Sequence, residues 1–323
     1  AAAQGIELSE RDWAVRCNLV TIVEQVMVDF TADHITTDEA RELLAAVSAA
    51  VDDPHLEFVP GVSYRNLMIY RGAADEPSPF SADTRTRAPH DLTDLPVGDD
   101  YPRGPGSDLL TELMQRSVPL FREHPVNQAR LAAGLKPATN IWLWGQGRSP
   151  RLPSFEERFG LRGAMITAVD LLRGLAALMG WERLEVEGAT GYLDTNYAGK
   201  GAAAVQALDR YDIVCVHVEA TDEASHEGRH MEKIRALEEI DRHVVGPVHE
   251  KLRSCGDYRL LILPDHATPC ATKKHSHGMV PLAVCGSDIA PSQATYSENA
   301  AAQAGRSFPQ GWEMMETFIR GQF

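Results

Sequence analysis

The sequence predicts an α/β protein with a mainly parallel sheet. Three observations carry that expectation. After Gly163, short apolar runs alternate with helix-like segments, the pattern of strands joined by crossover helices. Two of the runs, DIVCVHVE at 212–219 and YRLLILP at 258–264, have the aliphatic character of buried parallel strands. Each is followed by acidic and histidine residues. Ligands in open α/β sheets bind beyond the carboxyl ends of such strands.

The elements follow in order. Residues 1–5 read as the end of a helix, and 16–21 (RCNLVT) as a strand. Residues 37–51 form a helix that Thr37 can cap, with Asp38 and Glu39 in its first turn, where acids are favoured. Residues 65–70 (RNLMIY) are a strand. Residues 72–107 are rich in Pro, Gly and Asp and read as a long functional loop. An amphipathic helix covers 108–123, and IWLW at 141–144 is a short buried strand; Pro150 and Pro153 then break regularity. Beyond Gly163 we expect a helix at 164–179, a strand at 183–186, a helix at 201–208 and a strand at 213–219. A long helix at 229–252, strands at 259–263 and 280–284, and a closing helix at 312–319 complete the pattern.

The 323 residues are enough for two domains or one large domain with an insertion. No run approaches the roughly 18 uninterrupted apolar residues of a membrane span, and the first residues do not have the form of a signal peptide. With 46 acidic against 31 basic residues the net charge is −15, which argues against nucleic acid or an anionic membrane as the main partner. Cys17, Cys215, Cys255, Cys270 and Cys285 form no C-x-x-C pair and suit a reducing cytoplasm. The sequence does not specify an oligomeric state, and an oligomer is compatible with it.

Three segments carry the chemistry: Asp222-Glu223-Ala224-Ser225-His226, Asp265-His266 and His275-Ser276-His277. Asp222 and His226 are spaced to share one helix face. Carboxylate and imidazole are mixed ligands for Zn, Mn or Fe. Alone, D-x-x-x-H also fits an N-capping Asp followed by a surface His. A turn after the strand can bring Asp265 and His266 to one rim, although a loop Asp capping a turn is the plain alternative. The histidines at 275 and 277 lie in a loop that is either metal-binding or solvated. Together the segments offer four or five ligands at one sheet edge, the pattern of a dinuclear metal site. Imidazole-rich ligation favours Mn, Zn or Co over Mg. Arg148, Arg151 and Arg162 cluster where the two parts of the chain join, and Arg grips phosphate with a planar fork. Surface ion pairing is the alternative for at least one of them. His90-Asp91 offers an acid/base pair in the long loop, and a plain turn fits equally. No G-x-x-x-x-G-K-[ST] phosphate loop is present.

Longer stretches sharpen this reading. They are the run from Glu219 to Gly228 (EATDEASHEG), Pro264-Asp265-His266, and His275-Ser276-His277-Gly278-x-Val280-Pro281. Further stretches are RCNLV at 16–20, PHDLT at 89–93, WLWGQG at 142–147, FGLRGAMI at 159–166 and GATGYLDTN at 188–196. This set resembles the archaeal-type cofactor-independent phosphoglycerate mutases of the alkaline phosphatase superfamily, across essentially the whole chain. The resemblance implies a three-layer α/β/α core with a mainly parallel sheet and an inserted smaller α/β lid. Residues 1–8 would be a remnant of the core, 9–154 the lid, and 155–323 the metal-binding core. It implies one divalent ion on Asp222, His226 and His275, a second on Asp265 and His266, and no 2,3-bisphosphoglycerate. The family's N-terminal Asp and Ser nucleophile are expected upstream of Ala1. The implied activity interconverts 3-phosphoglycerate and 2-phosphoglycerate through a phosphoserine, with Arg148, Arg151, Arg162, His90 and Asp91 as contacts to a small phosphorylated substrate. Two alternatives stand beside it: a related phosphotransferase such as an alternative homoserine kinase, and a truncated, non-catalytic metal-binding protein.

Overall fold

The computed structural model describes residues 1–292 and 295–323 and falls into two units, Ala1–Arg151 and Leu152–Phe323. The expected division lay after Ser154. Residues 1–8 group with the first unit in this division, where Arg71 donates to the Glu7 carbonyl at 2.9 Å.

In the first unit, β1 (Trp13–Val23), β2 (Val26–Asp29), β3 (Leu56–Val62), β4 (Arg65–Tyr70) and β5 (Asn140–Gly147) form one sheet. Every pairing in it is antiparallel. β1 is its centre, flanked by β4 and β5. Its side chains alternate, as a sheet with one face in a core requires. Val15, Cys17 and Leu19 are fully buried, while Arg16 between them is exposed. Helices α1 (Thr37–Val51) and α2 (Ser107–Glu123) pack against β3 and β5, and Leu43, Leu44, Leu110 and Phe121 join the same apolar cluster. The short α3 (Pro125–Ala132) follows α2.

The cap of α1 is Thr36, not Thr37. The Thr36 hydroxyl accepts from the Glu39 backbone, and the Glu39 carboxylate accepts from the Thr36 backbone at 2.9 Å, a reciprocal capping box. Arg130, only 3% exposed, ties that carboxylate to the Ala32 and Lys136 carbonyls, so its buried charge is fully hydrogen-bonded. Residues 72–106 hold no regular element beyond a 3₁₀ turn at Pro89–Leu92.

In the second unit, α4 (Phe155–Phe159), β6 (Gly163–Ile166), α5 (Asp170–Leu178), β7 (Glu182–Arg183), α6 (Tyr197–Ala207) and β8 (Ile213–Val216) follow in turn. Next come α7 (Ala220–His226), α8 (His230–Ile240), α9 (Gly246–Arg253), β9 (Arg259–Ile262), β10 (Ala283–Gly286), α10 (Glu298–Gln303) and α11 (Met314–Arg320). β7, β6 and β8 form a parallel sheet with β6 in the middle, whereas β9 and β10 form a separate antiparallel pair. A parallel sheet is thus present as expected; among the described residues it has three strands, and the other pairings between strands are antiparallel.

The expected helix over 164–179 is also corrected. Residues 163–166 are a strand, buried throughout and paired on both sides, and the helix begins only at Asp170. A short apolar run has no period that separates a buried strand from a buried helix. The long helix is interrupted by a π turn at Asp241–Val245. There Gly201 of α6 meets the helix so closely that a Cβ would lie 1.9 Å from the His243 carbonyl oxygen. Only glycine permits that approach. Among the described residues no helix is long and apolar enough to cross a membrane.

Asp29 of β2 gives the first unit a pH-dependent anchor. Burial raises its carboxyl, but Lys136 at 2.8 Å and the Thr31 hydroxyl at 2.7 Å outweigh this and push it down to about 2, from an ordinary 3.8. The folded value lies below the unfolded one, so the stabilisation is complete above 3.8 and is lost as pH falls towards about 2. Asp29→Asn should therefore lower stability by about 2 kcal/mol at neutral pH. The difference from the parent should vanish towards pH 2, as read from urea unfolding across pH.

Candidate metal centre

The site begins where β8 ends. His217, Val218 and Glu219 lead out of the strand, and α7 starts at Ala220. Asp222 lies in the first turn of α7, where the helix dipole favours a carboxylate, and His226 lies in its last turn. Their four-residue spacing puts Asp222 Oδ2 3.1 Å from His226 Nε2.

A second segment completes the group. His275 Nε2 lies 3.0 Å from His226 Nε2 and 3.4 Å from Asp222 Oδ2. Three donor atoms thus form a triangle with edges of 3.0–3.4 Å. Metal–donor bonds of about 2.0–2.1 Å produce cis or tetrahedral edges of roughly 3.0–3.4 Å. The triangle therefore fits a transition ion, and its mixed oxygen and imidazole set suits one. The rings are oriented from behind. His226 Nδ1 meets the Lys273 carbonyl at 2.9 Å, which makes Nδ1 the protonated nitrogen and turns the Nε2 lone pair into the triangle. Nearby, Gly228 turns the chain after α7 with a left-handed φ of 76°, a conformation that favours glycine.

The third segment follows β9. His266 stacks on His275 with ring centroids 3.8 Å apart, and donor atoms of Asp222, His266 and His275 all lie within 4.8 Å of one another. Asp222 and His275 are therefore shared between two donor groups. Asp265 Oδ2 is 3.2 Å from His266 Nε2, and its carboxylate is 79% exposed. A bridge between Ala267 and Ser276 holds the two arms of the β9–β10 connection together, with a backbone hydrogen bond of 2.9 Å.

Charge is concentrated here. Burial raises the Asp222 carboxyl, but the Thr268 hydroxyl, His226 and His275 together hold it below its usual range. Burial, then the charges of Asp222, Glu223 and Asp265, push Glu219 above the usual range. Below the rim, His217 Nε2 meets the Glu219 carboxylate at 3.1 Å and its Nδ1 meets the Thr167 hydroxyl at 3.1 Å. Lys200, 1% exposed, donates to the His217 carbonyl at 3.2 Å, and burial lowers its pKa.

All five expected metal ligands thus meet in one cluster. Of the expected substrate contacts, Arg148, Arg151, His90 and Asp91 belong to the first unit and Arg162 to the second. Arg148 donates to the Glu10 carbonyl, and Arg151 pairs with the Glu10 carboxylate. Arg162 pairs with Asp212 at 3.6 Å. His90 and Asp91 are both exposed, 3.8 Å apart. His90 packs edge-on against Trp144, centroids 5.4 Å apart.

Sequence reasoning missed what surrounds His90. The Arg16 guanidinium stacks over Trp144 at 4.6 Å, and Trp144 Nε1 donates to the buried Asn18 amide oxygen at 3.0 Å. Arg65, the register partner of Asn18, lies over Tyr64 at 5.0 Å. The signal was available: Arg16 and Asn18 occupy the polar positions of an alternating strand. Thr268 stands close to Asp265 and His266 in sequence, but its hydrogen bond to Asp222 spans 46 residues of chain and is visible only in the fold.

Residues 23–307 match the family described as the metalloenzyme superfamily, and the chain belongs to it. The relatives narrow this. A 2,3-bisphosphoglycerate-independent phosphoglycerate mutase of Methanothrix thermoacetophila is 43% identical over 99% of this chain and 80% of its own length. One of Methanothermobacter thermautotrophicus is 42% identical over 99% of this chain and 78% of its own. The chain belongs to the 2,3-bisphosphoglycerate-independent phosphoglycerate mutase family. Two solved structures share the fold. A Pyrococcus horikoshii protein has a TM-score of 0.72 at 24% identity, covering 94% of this chain and 71% of its own. A cofactor-independent phosphoglycerate mutase of Thermoplasma acidophilum has a TM-score of 0.62 at 23% identity, covering 99% and 80%.

Replacing Asp222 or His275 with Ala should each remove one bound metal equivalent, measured by equilibrium dialysis with Mn or Co. Parent-like binding in both variants would mean the ligands are wrongly assigned.

Proposed function

We propose that this chain interconverts 3-phosphoglycerate and 2-phosphoglycerate without a bisphosphoglycerate cofactor. The observation that carries the reading is the Asp222–His226–His275 donor triangle, found in a chain so similar to named mutases. In this reading the second unit is the alkaline-phosphatase-like α/β/α core and the first is the inserted lid. Asp222, His226 and His275 would hold one divalent ion, and Asp265 and His266 a second. Mn, Zn or Co suits these donors better than Mg. Such ions, when bound, lower a nucleophile's pKa and neutralise charge on phosphoryl oxygens. Residence in the cytoplasm belongs to the same proposal.

The remaining work falls to the chain's own side chains. Arg148, Arg151, Arg162, His90 and Asp91 stay the proposed substrate contacts, but the three arginines already have protein partners. Arg16 offers a guanidinium fixed by stacking, and its planar fork matches a carboxylate or phosphate oxygen pair. We assign it, beside His90, to an anionic group of the substrate.

The test is an enolase-coupled assay with 3-phosphoglycerate and added Mn or Co. Turnover that needs metal and ignores 2,3-bisphosphoglycerate is expected. Phosphorylation of homoserine instead would favour the related phosphotransferase, and metal binding without either turnover would favour the binding-only reading. Arg16→Met should raise KM roughly 10- to 100-fold, the loss of one charge-assisted contact. An unchanged KM would remove Arg16 from the substrate site.

A further inference from the structure

Thr268 is 5% exposed and stands between two of the expected metal ligands. Its hydroxyl donates to Asp222 Oδ1 at 2.6 Å and lies 3.1 Å from His266 Nδ1. Its carbonyl accepts from Lys233 of α8 at 3.1 Å, which fixes the backbone that carries the hydroxyl. A hydroxyl has one proton to give. Asp222, as a carboxylate, only accepts, so that proton points to Asp222. The contact with His266 is then a hydrogen bond only if His266 Nδ1 bears the hydrogen. In a neutral imidazole this leaves the lone pair on Nε2. Nε2 is the nitrogen 3.2 Å from Asp265 Oδ2. A lone pair and a carboxylate oxygen at that distance repel each other unless a cation binds both.

We propose that Thr268 is a positioning residue that couples the two metal sites: it orients Asp222 of the first and fixes the Nε2-ligating tautomer of His266 in the second. This rests on the ligand assignment made above. The coupling is physical. A cation on Nε2 makes the Nδ1–H of His266 a stronger donor. The hydroxyl that accepts it becomes in turn a stronger donor to Asp222, because hydrogen bonds in a chain polarise one another. Filling one site therefore improves the other. Hydrogen-bond partners behind a metal ligand act in this way in general, and their loss weakens binding roughly 10- to 100-fold.

The experiment uses the whole chain and metal alone. Co binding is followed by visible absorption and Mn binding by electron paramagnetic resonance, for the parent, Thr268→Val, Thr268→Ser and Asp222→Ala. Folding is checked by thermal melting. Thr268→Val keeps the volume and removes the hydroxyl; it should bind both equivalents roughly 10- to 100-fold more weakly, without cooperativity. Thr268→Ser should return to near the parent. Parent-like binding by Thr268→Val, or equal weakness in Thr268→Ser, would overturn the proposal while leaving the ligand assignment intact. Parent-like binding by Asp222→Ala would instead break the ligand assignment, and this inference with it. If Thr268→Val fails to fold, the tautomer of His266 in the metal-free parent decides, read from its imidazole nitrogen resonances. Hydrogen on Nδ1 supports the proposal, and hydrogen on Nε2 alone refutes it.

Discussion

The Asp222 carboxylate is the point on which the second unit's site depends. Its two oxygens are used separately: Oδ1 accepts the Thr268 hydroxyl, and Oδ2 faces His226 and His275. A carboxylate can do this because it accepts through about four lone-pair positions. Two stretches of chain meet there: α7, and the connection from β9 to β10, which supplies both Thr268 and His275. Burying an anion is unfavourable without such partners. With them, the Asp222 carboxyl is held below its usual range, although Glu219 and Glu223 after β8 and Asp265 after β9 add negative charge nearby. Their mutual repulsion is the physical reason a cation belongs at this rim.

The backbone prepares that meeting. β8 points its carboxyl end at the site, and α7 starts directly from it, so Asp222 falls in the first helical turn. Gly228 then ends α7 in a left-handed conformation and leaves room for the Lys273 segment. Lys273 is itself left-handed, which costs a non-glycine residue about 1 kcal/mol or more. Its carbonyl is thereby turned to His226 Nδ1. Strain in the loop and order in the ligand are linked through that one hydrogen bond.

The residues of the Asp222 cluster were legible in the sequence because their signals are local. Asp222 and His226 share a helical turn, and Asp265-His266 follows an apolar strand. The α1 helix and the β4 strand were readable for the same reason, from a dense apolar period and a short apolar run. What was not readable depends on distant partners. β6 looks like the start of a helix until β7 and β8 flank it. β3 is hidden by Pro60 and Gly61, which break its alternation, and α3 by its brevity. The antiparallel pairing of β9 with β10 follows from chain direction, which apolar runs do not encode. Thr268 could not be assigned from sequence because a hydroxyl takes its meaning from the groups it touches.

The net charge of −15 also reads differently at the two scales. At long range it repels any anion, including a phosphorylated hydroxy acid. Screening confines that repulsion to roughly 8 Å at physiological salt. Inside that distance the local groups decide. In the proposed role Arg16 would meet an anion with a guanidinium already held against Trp144, so little conformational freedom would be lost on contact. A small substrate samples only such a patch. A nucleic acid would lie along many patches at once and meet the acidic majority. The charge balance therefore disfavours polyanions and leaves a small anionic substrate open, which is the distinction the proposed activity requires.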